Sequence, residues 1–205
     1  MKQNNQMKMI GVTGGVGSGK SEVMKYIARN YDAAVLLADE AGHLLMRSGQ
    51  ACYEPVRALF GDRVLDEDGE LNRSRIAQIV YQDTGLLEAL SRIIHPAVRR
   101  YIMEQRKTAA EQGKAYFFLE AALLLEEHYD EICDEVWYIY AKRSVRRERL
   151  KKSRDYSDEK ISRMIANQLD EEEFRKRCDV IIDNSKAFEH TVSQIETRMQ
   201  QWRKP

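Results

Sequence analysis

A glycine-rich stretch near the beginning of the chain constrains its fold more than any other part of the sequence. Residues 14–21 read GGVGSGKS and fit the pattern G-x-x-x-x-G-K-[ST]. The apolar residues 9–13 before the stretch predict a short buried strand, and the apolar spacing in residues 22–28 predicts a helix after it. Glycines let the backbone fold around an anion, and a helix N-terminus favours negative charge. The stretch therefore predicts a phosphate-binding loop and a site for a nucleoside triphosphate.

The residues of this loop are the first candidates for contacts with the nucleotide. We expect Lys20 to place a positive charge beside the β- and γ-phosphates and Ser21 to offer its hydroxyl group to Mg²⁺. Backbone N–H groups of the loop are expected to converge on phosphate oxygens. The candidate nucleotide contacts are Gly14, Gly15, Val16, Gly17, Ser18, Gly19, Lys20, Ser21 and Glu22, with Ser21 as the metal ligand.

Five short apolar runs predict the strands of one sheet. The run before the loop is followed by runs at residues 33–38, 115–119, 136–140 and 180–182. Runs of this length suit strands buried on both faces, and helical stretches separate them, so we predict an α/β fold with a five-stranded parallel sheet. Ligands of such sheets bind beyond the carboxyl ends of the strands. That edge brings the loop together with Asp39, Glu120 and Asn184.

The segment between the second and third strands is too long for one crossover helix and predicts a helical insert. Asn72 is a candidate N-cap for a helix over residues 73–80. Helical spacing continues to His95-Pro96, where we predict that the helix breaks and restarts, since proline disfavours helical geometry at the preceding residue. The last helix of the insert is predicted to stop at Gly113.

The most basic part of the chain, residues 142–154, follows the fourth strand. It fits a solvated helix face, a nucleic-acid patch or a lid that closes on a triphosphate. The segment leaves the sheet at the same end as the loop, which favours a lid whose arginines stabilise the transferring phosphoryl group. Aromatic residues for stacking on bases are absent from it, which weakens the nucleic-acid interpretation. Ser157 is predicted to cap the next helix, and the lid candidates are Arg146, Arg147, Arg149 and Arg154.

Composition narrows the class of protein. The 205 residues have a formal net charge of zero, so overall charge gives no reason to expect a nucleic-acid partner. Cys52, Cys133 and Cys178 are far apart and form no C-x-x-C pair, which fits reduced thiols. No apolar run approaches the ~20 residues of a membrane span, and the polar residues 1–8 predict a frayed end. We therefore expect a cytoplasmic protein with no membrane partner, and the sequence does not determine its oligomeric state.

Taken together, the motifs resemble those of the dephospho-coenzyme A kinase family. A phosphate-binding loop also occurs in GTPases, but the N-K-x-D run that recognises guanine is absent from this sequence. The matching pieces span nearly the whole chain in the family's order and spacing, so the set is more specific than the loop alone. They are residues 11–21, Ala38-Asp39, His95-Pro96 with Val98, Leu123-Leu124 with Glu126, Gln168, and residues 182–185.

The resemblance implies a three-layer α/β P-loop kinase fold in three parts. These parts are a nucleotide-binding core of about residues 8–38, 114–141 and 178–205, a helical acceptor-binding insert of about residues 39–113, and a lid of about residues 142–177. It also implies ATP with Mg²⁺ as the phosphoryl donor. The implied acceptor is the ribose 3′-hydroxyl group of dephospho-coenzyme A.

The resemblance also implies roles for individual residues. Asp39 becomes the candidate base, His95 a contact of the acceptor, and Asn184 lies in a loop near the adenine. Simpler interpretations remain open, since Asp39 can be a helix N-cap and His95 a buried histidine at a helix break. The candidate catalytic residues are Asp39, Lys20, Arg146, Arg149, Arg154 and Glu120, and the candidate substrate contacts are Asp39, His95, Glu120 and Leu123.

Three departures from the family pattern affect these assignments. Leu37 replaces the first acid of a D-x-D run at the end of the second strand. After the third strand Glu120 replaces an aspartate and Ala122 a proline, and Glu120 keeps the charge with a longer reach, so it rivals the strand-end aspartate as the base. Ser153 stands where the family has a lid arginine, and Arg154 follows one position later.

Two other functions remain open from the sequence. A kinase for nucleosides or nucleoside monophosphates would share the core and the lid, and the insert sequence alone does not identify the acceptor. A regulator with this loop would bind nucleotide without chemistry. A protein that only binds nucleotide, however, does not need arginines in a lid.

Overall fold

The structure is a computed structural model, and it describes residues 7–154 and 156–203, apart from the side chains of Ser153, Arg154 and Arg203. Its strands are β1 (Lys8–Thr13), β2 (Ala33–Leu37), β3 (Tyr116–Glu120), β4 (Glu135–Tyr140) and β5 (Val180–Asp183). Its helices are α1 (Lys20–Asn30), α2 (Ala38–Leu45), α3 (Tyr53–Phe60), α4 (Arg73–Gln82), α5 (Thr84–Glu111), α6 (Arg143–Arg154), α7 (Asp158–Ala166), α8 (Glu171–Arg177) and α9 (Phe188–Arg203). Two short 3₁₀ helices lie at Asp62–Val64 and Tyr129–Ile132.

The five strands form one sheet in the order β2-β3-β1-β4-β5. Strand β1 pairs in parallel with both β3 and β4, and β4 pairs in parallel with β5. The prediction of a five-stranded parallel sheet is confirmed. Because β1 is the central strand, the glycine-rich loop that follows it leaves the middle of the carboxyl edge of the sheet. Val12 of β1 lies in register with Glu120, which places the end of β3 beside that loop.

The three central strands form the core of the sheet because their sequences are apolar on both faces. Strands β1, β3 and β4 bury almost every residue. The rings of Phe118 and Trp137 meet edge to face with their centroids 5.4 Å apart. Trp202 of α9 stacks on Trp137 and on Tyr116, with centroid separations of 5.9 and 5.6 Å. Helix α9 therefore covers one face of the sheet through aromatic stacking.

Contacts within the chain define two compact units. One unit contains Leu36–Thr108, and the other contains the described residues up to Val35 and from Ala109 onward. The unit of Leu36–Thr108 is helical and has a core of its own, in which Val56 and Ile102 are fully buried. This unit holds much of the segment for which the sequence predicts a helical insert.

Two predicted helix caps are confirmed. The side chain of Asn72 accepts a hydrogen bond from the N–H of Arg75 at 2.8 Å, so Asn72 is the N-cap of α4. The hydroxyl group of Ser157 accepts from the N–H of Lys160 and caps α7 in the same way. Each cap satisfies one of the backbone donors that a helix leaves unpaired in its first turn.

The predicted helix break at His95-Pro96 is wrong. Helix α5 runs without interruption from Thr84 to Glu111, and Pro96 lies inside it. Proline removes one backbone donor, but the turn that follows buries Ala97 and Val98, and this packing holds the helix through the proline. Although α5 is the longest described helix, neither it nor any other described helix is long and apolar enough to span a membrane.

Candidate active site

The loop between β1 and α1 is built on glycines whose backbone no other residue would adopt easily. Gly14 has a φ of 143°, and a Cβ atom there would lie 2.4 Å from the backbone oxygen of Ile139. Gly19, immediately before α1, has a φ of 93°, and a Cβ atom there would lie 2.2 Å from Nδ2 of Asn184. Both the torsion and the space therefore require glycine at these two positions.

We expect Gly19→Ala to weaken ATP binding and to lower the free energy of unfolding by about 1–3 kcal/mol, since it combines backbone strain with an overlap on Asn184. The matched control is Gly49→Ala, because Gly49 has a similar φ of 77° and no described atom within 4 Å of the added methyl group. Urea unfolding and ATP titration calorimetry measure both variants. Equal losses of stability in the two variants, with unchanged ATP affinity, would contradict the expectation.

Lys20 is the first residue of α1 and points back over the loop. Its Nζ donates a hydrogen bond to the backbone oxygen of Gly14 at 2.7 Å and lies 3.8 Å from Oε1 of Glu120. The side chains of Lys20 and Glu120 are only 11% and 13% exposed. Lys20 and Glu120, at the end of β3, therefore form a largely buried ion pair at the loop. The structure brings these two sequence-predicted residues together.

Arg146 of α6 contacts the loop from the other side. Its Nε donates to the backbone oxygen of Val16 at 2.8 Å, and its Nη2 donates to Oε1 of Gln168 at 2.7 Å. The same Oε1 accepts a hydrogen bond from the N–H of Val16 at 3.0 Å. Burial lowers the pKa of the Arg146 guanidinium from its ordinary value.

The charge of Arg146 is not balanced by a close carboxylate. Among the residues that the structure describes, none places a carboxylate oxygen within 4.0 Å of its guanidinium, and its hydrogen bonds to Val16 and Gln168 go to neutral oxygens. A cation that is taken out of water without a counter-charge destabilises the folded state. An anion bound at the loop would supply the missing charge, so this arrangement suits a phosphate group.

Arg149 and Asn184 hold the second half of the loop. Arg149 donates through Nη1 to the backbone oxygen of Ser18 at 3.1 Å and through Nη2 to that of Asn184 at 2.9 Å. The fully buried Asn184 donates through Nδ2 to the same Ser18 oxygen at 2.7 Å and accepts from Oγ1 of Thr191 at 2.8 Å. These bonds fix the loop to α6 and to the segment after β5.

The four candidate lid arginines differ in their surroundings. Arg147 donates to Asp158 at 2.5 Å and to Ser162 at 3.1 Å, so it pairs with α7. The side chain of Arg154 lies outside the described part of the chain. Of the four candidates, the described contacts therefore bring Arg146 and Arg149 to the loop.

The remaining candidates on the larger unit are exposed. Ser21 and Glu22 lie in the first turn of α1 with their side chains accessible to solvent. Leu123, in the turns after β3, is 49% exposed. Exposure leaves Ser21 available as an oxygen ligand, and it leaves Leu123 available for an apolar contact with a substrate.

Asp39 and His95 lie in the unit of Leu36–Thr108. Asp39 is the second residue of α2 and is exposed. The N-cap of α2 is Leu37, which makes no side-chain cap bond, so the alternative interpretation of Asp39 as an N-cap is wrong. His95 is partly buried within α5. The roles of Asp39 and His95 towards an acceptor stay predictions.

Sequence reasoning missed two residues of this site. It used Gln168 only as part of the family resemblance and gave Thr191 no role, yet the first contacts Arg146 and the second orients Asn184. Both contacts join elements that only the fold brings together. The one local signal is the position of Gln168, which follows Asn167 at the C-terminal cap of α7.

Comparisons with known proteins identify the family to which the chain is similar. The family model described as Dephospho-CoA kinase (CoaE) matches residues 8–190. The chain is 33% identical over 192 residues to a dephospho-CoA kinase of Streptococcus mutans, covering 94% of this chain and 96% of that protein. It is 38% identical over 190 residues to a dephospho-CoA kinase of Aquifex aeolicus, covering 93% and 95%.

The fold has a solved counterpart of similar length. The crystal structure of TT1252 from Thermus thermophilus superposes with a TM-score of 0.81 at 28% identity, covering 95% of this chain and 97% of that one. The family match extends from the first strand into the last helix, so it includes the loop, Arg146 and Asn184. The chain belongs to the dephospho-CoA kinase family.

Proposed function

We propose that this protein transfers the γ-phosphoryl group of ATP to the ribose 3′-hydroxyl group of dephospho-CoA, giving CoA and ADP as the last step of CoA synthesis. Membership of the family supports this reaction. The observation that carries the proposal is the buried, unbalanced Arg146 against a phosphate-binding loop that already contains Lys20. Two cations at one glycine-rich loop suit a group that carries several negative charges.

The donor half of the reaction follows from these contacts. The loop backbone and the N-terminus of α1 would hold the phosphates, and Lys20 would exchange its bond to Gly14 for a phosphate oxygen. Arg146 and Lys20 would then stabilise the charge that spreads over the transferring group. Both cations are already held in place, so little reorganisation is needed when the charge develops.

Magnesium is the metal that the donor set fits. Ser21 carries a hydroxyl group in the first turn of α1, Glu120 has a carboxylate beside Lys20, and Mg²⁺ prefers oxygen ligands and shares its sites with phosphates and water. Ser21 would bind the ion directly, and Glu120 would hold a water of its shell. When bound, the ion neutralises charge on the β- and γ-phosphates.

The acceptor half rests on the family resemblance. We propose that the helical segment of about residues 39–113 binds dephospho-CoA. His95 of this segment and Leu123, which follows β3, would be among the contacts. Residues 142–177 would close as a lid. Asp39 would orient the ribose hydroxyl group and accept its proton. Glu120 is the rival for that role because its carboxylate lies at the loop beside Lys20.

We also propose the cytoplasm as the compartment. All three cysteines of the chain are free thiols in the structure, as a reducing environment requires. Burial raises the pKa of the Cys178 thiol to about 12, so this thiol stays protonated and unreactive near neutral pH.

The test of this function is the release of ADP from Mg²⁺-ATP with three acceptors in parallel. We expect turnover with dephospho-CoA, far less with AMP, and none with adenosine, because binding of the pantetheine arm would help to align the reacting hydroxyl group. Mass spectrometry of the product should show CoA. Equal turnover with AMP would favour a nucleoside monophosphate kinase, and no turnover with any acceptor would favour a regulator.

A further inference from the structure

We propose that Gln168 is a positioning residue that sets the orientation of Arg146 at the phosphate-binding loop. It would act on phosphoryl transfer through Arg146 and without touching the substrates. The proposal rests on the proposed function, since it concerns the same site. It assigns a role to a side chain that comes from the segment after α7, more than twenty residues along the chain from Arg146.

One oxygen atom of Gln168 accepts two hydrogen bonds. Oε1 of Gln168 accepts from the N–H of Val16 at 3.0 Å and from Nη2 of Arg146 at 2.7 Å. Both partners are donors only, so the amide must present its oxygen to them, and both lone pairs of that oxygen are used. Gln168 therefore ties the guanidinium to the loop backbone through a single atom.

The backbone of Val16 bonds to both of the other residues. Its N–H bonds to Gln168 and its oxygen accepts from Nε of Arg146 at 2.8 Å. Arg146, Gln168 and Val16 thus form a closed ring of three hydrogen bonds, which we call the Arg146 ring. A long arginine side chain loses much rotamer freedom when it is held at two atoms. The ring therefore fixes the direction in which the guanidinium points.

The Arg146 ring leaves some N–H donors of the guanidinium available for a ligand. The guanidinium lies directly over Gly15, where an added Cβ atom would be 2.3 Å from Cζ of Arg146. An arginine has five N–H donors, and the ring uses one on Nε and one on Nη2. Three donors on a fixed plane remain beside the loop, which is the geometry that binds phosphate oxygens in pairs.

A neutral amide suits position 168 better than a carboxylate does. A glutamate could accept the same two hydrogen bonds, but its charge would cancel that of Arg146 and would repel the phosphates. A neutral acceptor holds the guanidinium and leaves its charge unbalanced. Burial lowers the pKa of Arg146, and this direction agrees with a cation whose hydrogen bonds to Val16 and Gln168 go to neutral oxygens.

The test is a double-mutant cycle in steady-state kinetics. Gln168→Met keeps the length of the side chain and removes the acceptor, and we expect it to lower kcat by about 10²-fold, since misplacement of a catalytic group by ~1 Å has that effect. The KM for ATP should change by less than about threefold, because the contact matters most in the transition state. In an Arg146→Ala background, Gln168→Met should change kcat by no more than about twofold.

Two further variants sharpen the test. Gln168→Glu keeps both acceptors, so it would retain wild-type kinetics if only the two hydrogen bonds of Gln168 mattered. We expect instead that it raises the KM for ATP by about tenfold or more, through charge repulsion. The control is Asn167→Ala, since Asn167 is the exposed neighbour at the end of α7 and should leave kcat within about twofold.

Several results would overturn the proposal. Unchanged kcat in Gln168→Met, or equal effects of Gln168→Met with and without Arg146, would each remove the positioning role. Wild-type behaviour of Gln168→Glu would contradict the argument that the acceptor must be neutral. Urea unfolding of every variant separates loss of folding from loss of positioning, and Gln168→Ala, which also removes the acceptor, tests the role if Gln168→Met folds poorly. The cycle is measured with whichever acceptor the wild-type protein phosphorylates. Failure of dephospho-CoA as that acceptor would contradict the proposed function and leave the role of Gln168 to be judged by the cycle.

Discussion

Lys20→Ala is expected to lower kcat by at least about 10²–10³-fold, because it removes a cation aimed at the phosphates in a site that is shielded from water. The lysine is only 11% exposed and lies 3.8 Å from Glu120. Its removal also leaves the Glu120 carboxylate without this partner beside an anionic substrate, which adds repulsion. Affinity for ATP should fall as well, and titration calorimetry with a coupled ADP assay measures both effects.

The control for Lys20→Ala is Lys25→Ala, which removes a charge from an exposed position of the same helix. Alanine favours helices in both variants, so α1 should persist in each and circular dichroism should be unchanged. Lys25→Ala should retain wild-type turnover. Near-normal turnover in Lys20→Ala would remove the loop lysine from the mechanism.

Asp39→Asn is expected to fold, to bind ATP almost normally and to lose roughly 10²–10⁴-fold in kcat, the usual range for loss of a general base. A secondary hydroxyl group is a poor nucleophile, and a carboxylate within hydrogen-bond reach can orient it and accept its proton. Proton removal is late in a loose phosphoryl-transfer transition state, so part of the loss would come from lost positioning. A stopped assay with dephospho-CoA measures the change.

Glu40→Gln is the control for Asp39→Asn. Both acids are exposed in the first turn of α2, so each substitution removes a similar favourable interaction with the helix dipole, worth about 0.3–1 kcal/mol. The two variants should therefore match in stability and differ in turnover. If Asp39→Asn turns over normally while Glu120→Gln is inactive, the base assignment moves to Glu120.

The sheet could be predicted from the sequence because its signal is local. Each strand is a short apolar run, the three central strands are buried on both faces, and β1 is marked in addition by the glycines that follow it. The caps at Asn72 and Ser157 are local in the same sense, since each side chain bonds to a backbone group three residues away. At such positions the sequence window contains both partners.

Helix α5 shows where local signals fail. The preference of proline at position 96 pointed to a break, but the packing of the helix on its neighbours outweighed it. Ala97, Val98 and Ile102 are buried, and a Cβ atom on Gly42, more than fifty residues earlier in the chain, would lie 3.7 Å from Val98. The energy of this packing does not appear in a window around His95-Pro96.

The lid arginines show a second limit. Arg146 and Arg147 are adjacent in sequence, but successive residues of a helix point about 100° apart. One meets Val16 across 130 residues of chain, and the other meets Asp158. Their chemistry is the same, so only the packing of α6 distinguishes them, and Gln168 could not be recognised as the partner of Arg146 before that packing was known.

The unbalanced charge of Arg146 sets the stability of the folded protein against its activity. A carboxylate in place of Gln168 would neutralise the buried cation and would make the protein without nucleotide more stable, but its negative charge would repel the phosphates. Without nucleotide, the folded enzyme is therefore less stable than the same fold would be with the charge of Arg146 neutralised. Nucleotide removes that deficit when it binds, so resistance to heat and proteolysis should follow the supply of ATP in the cell.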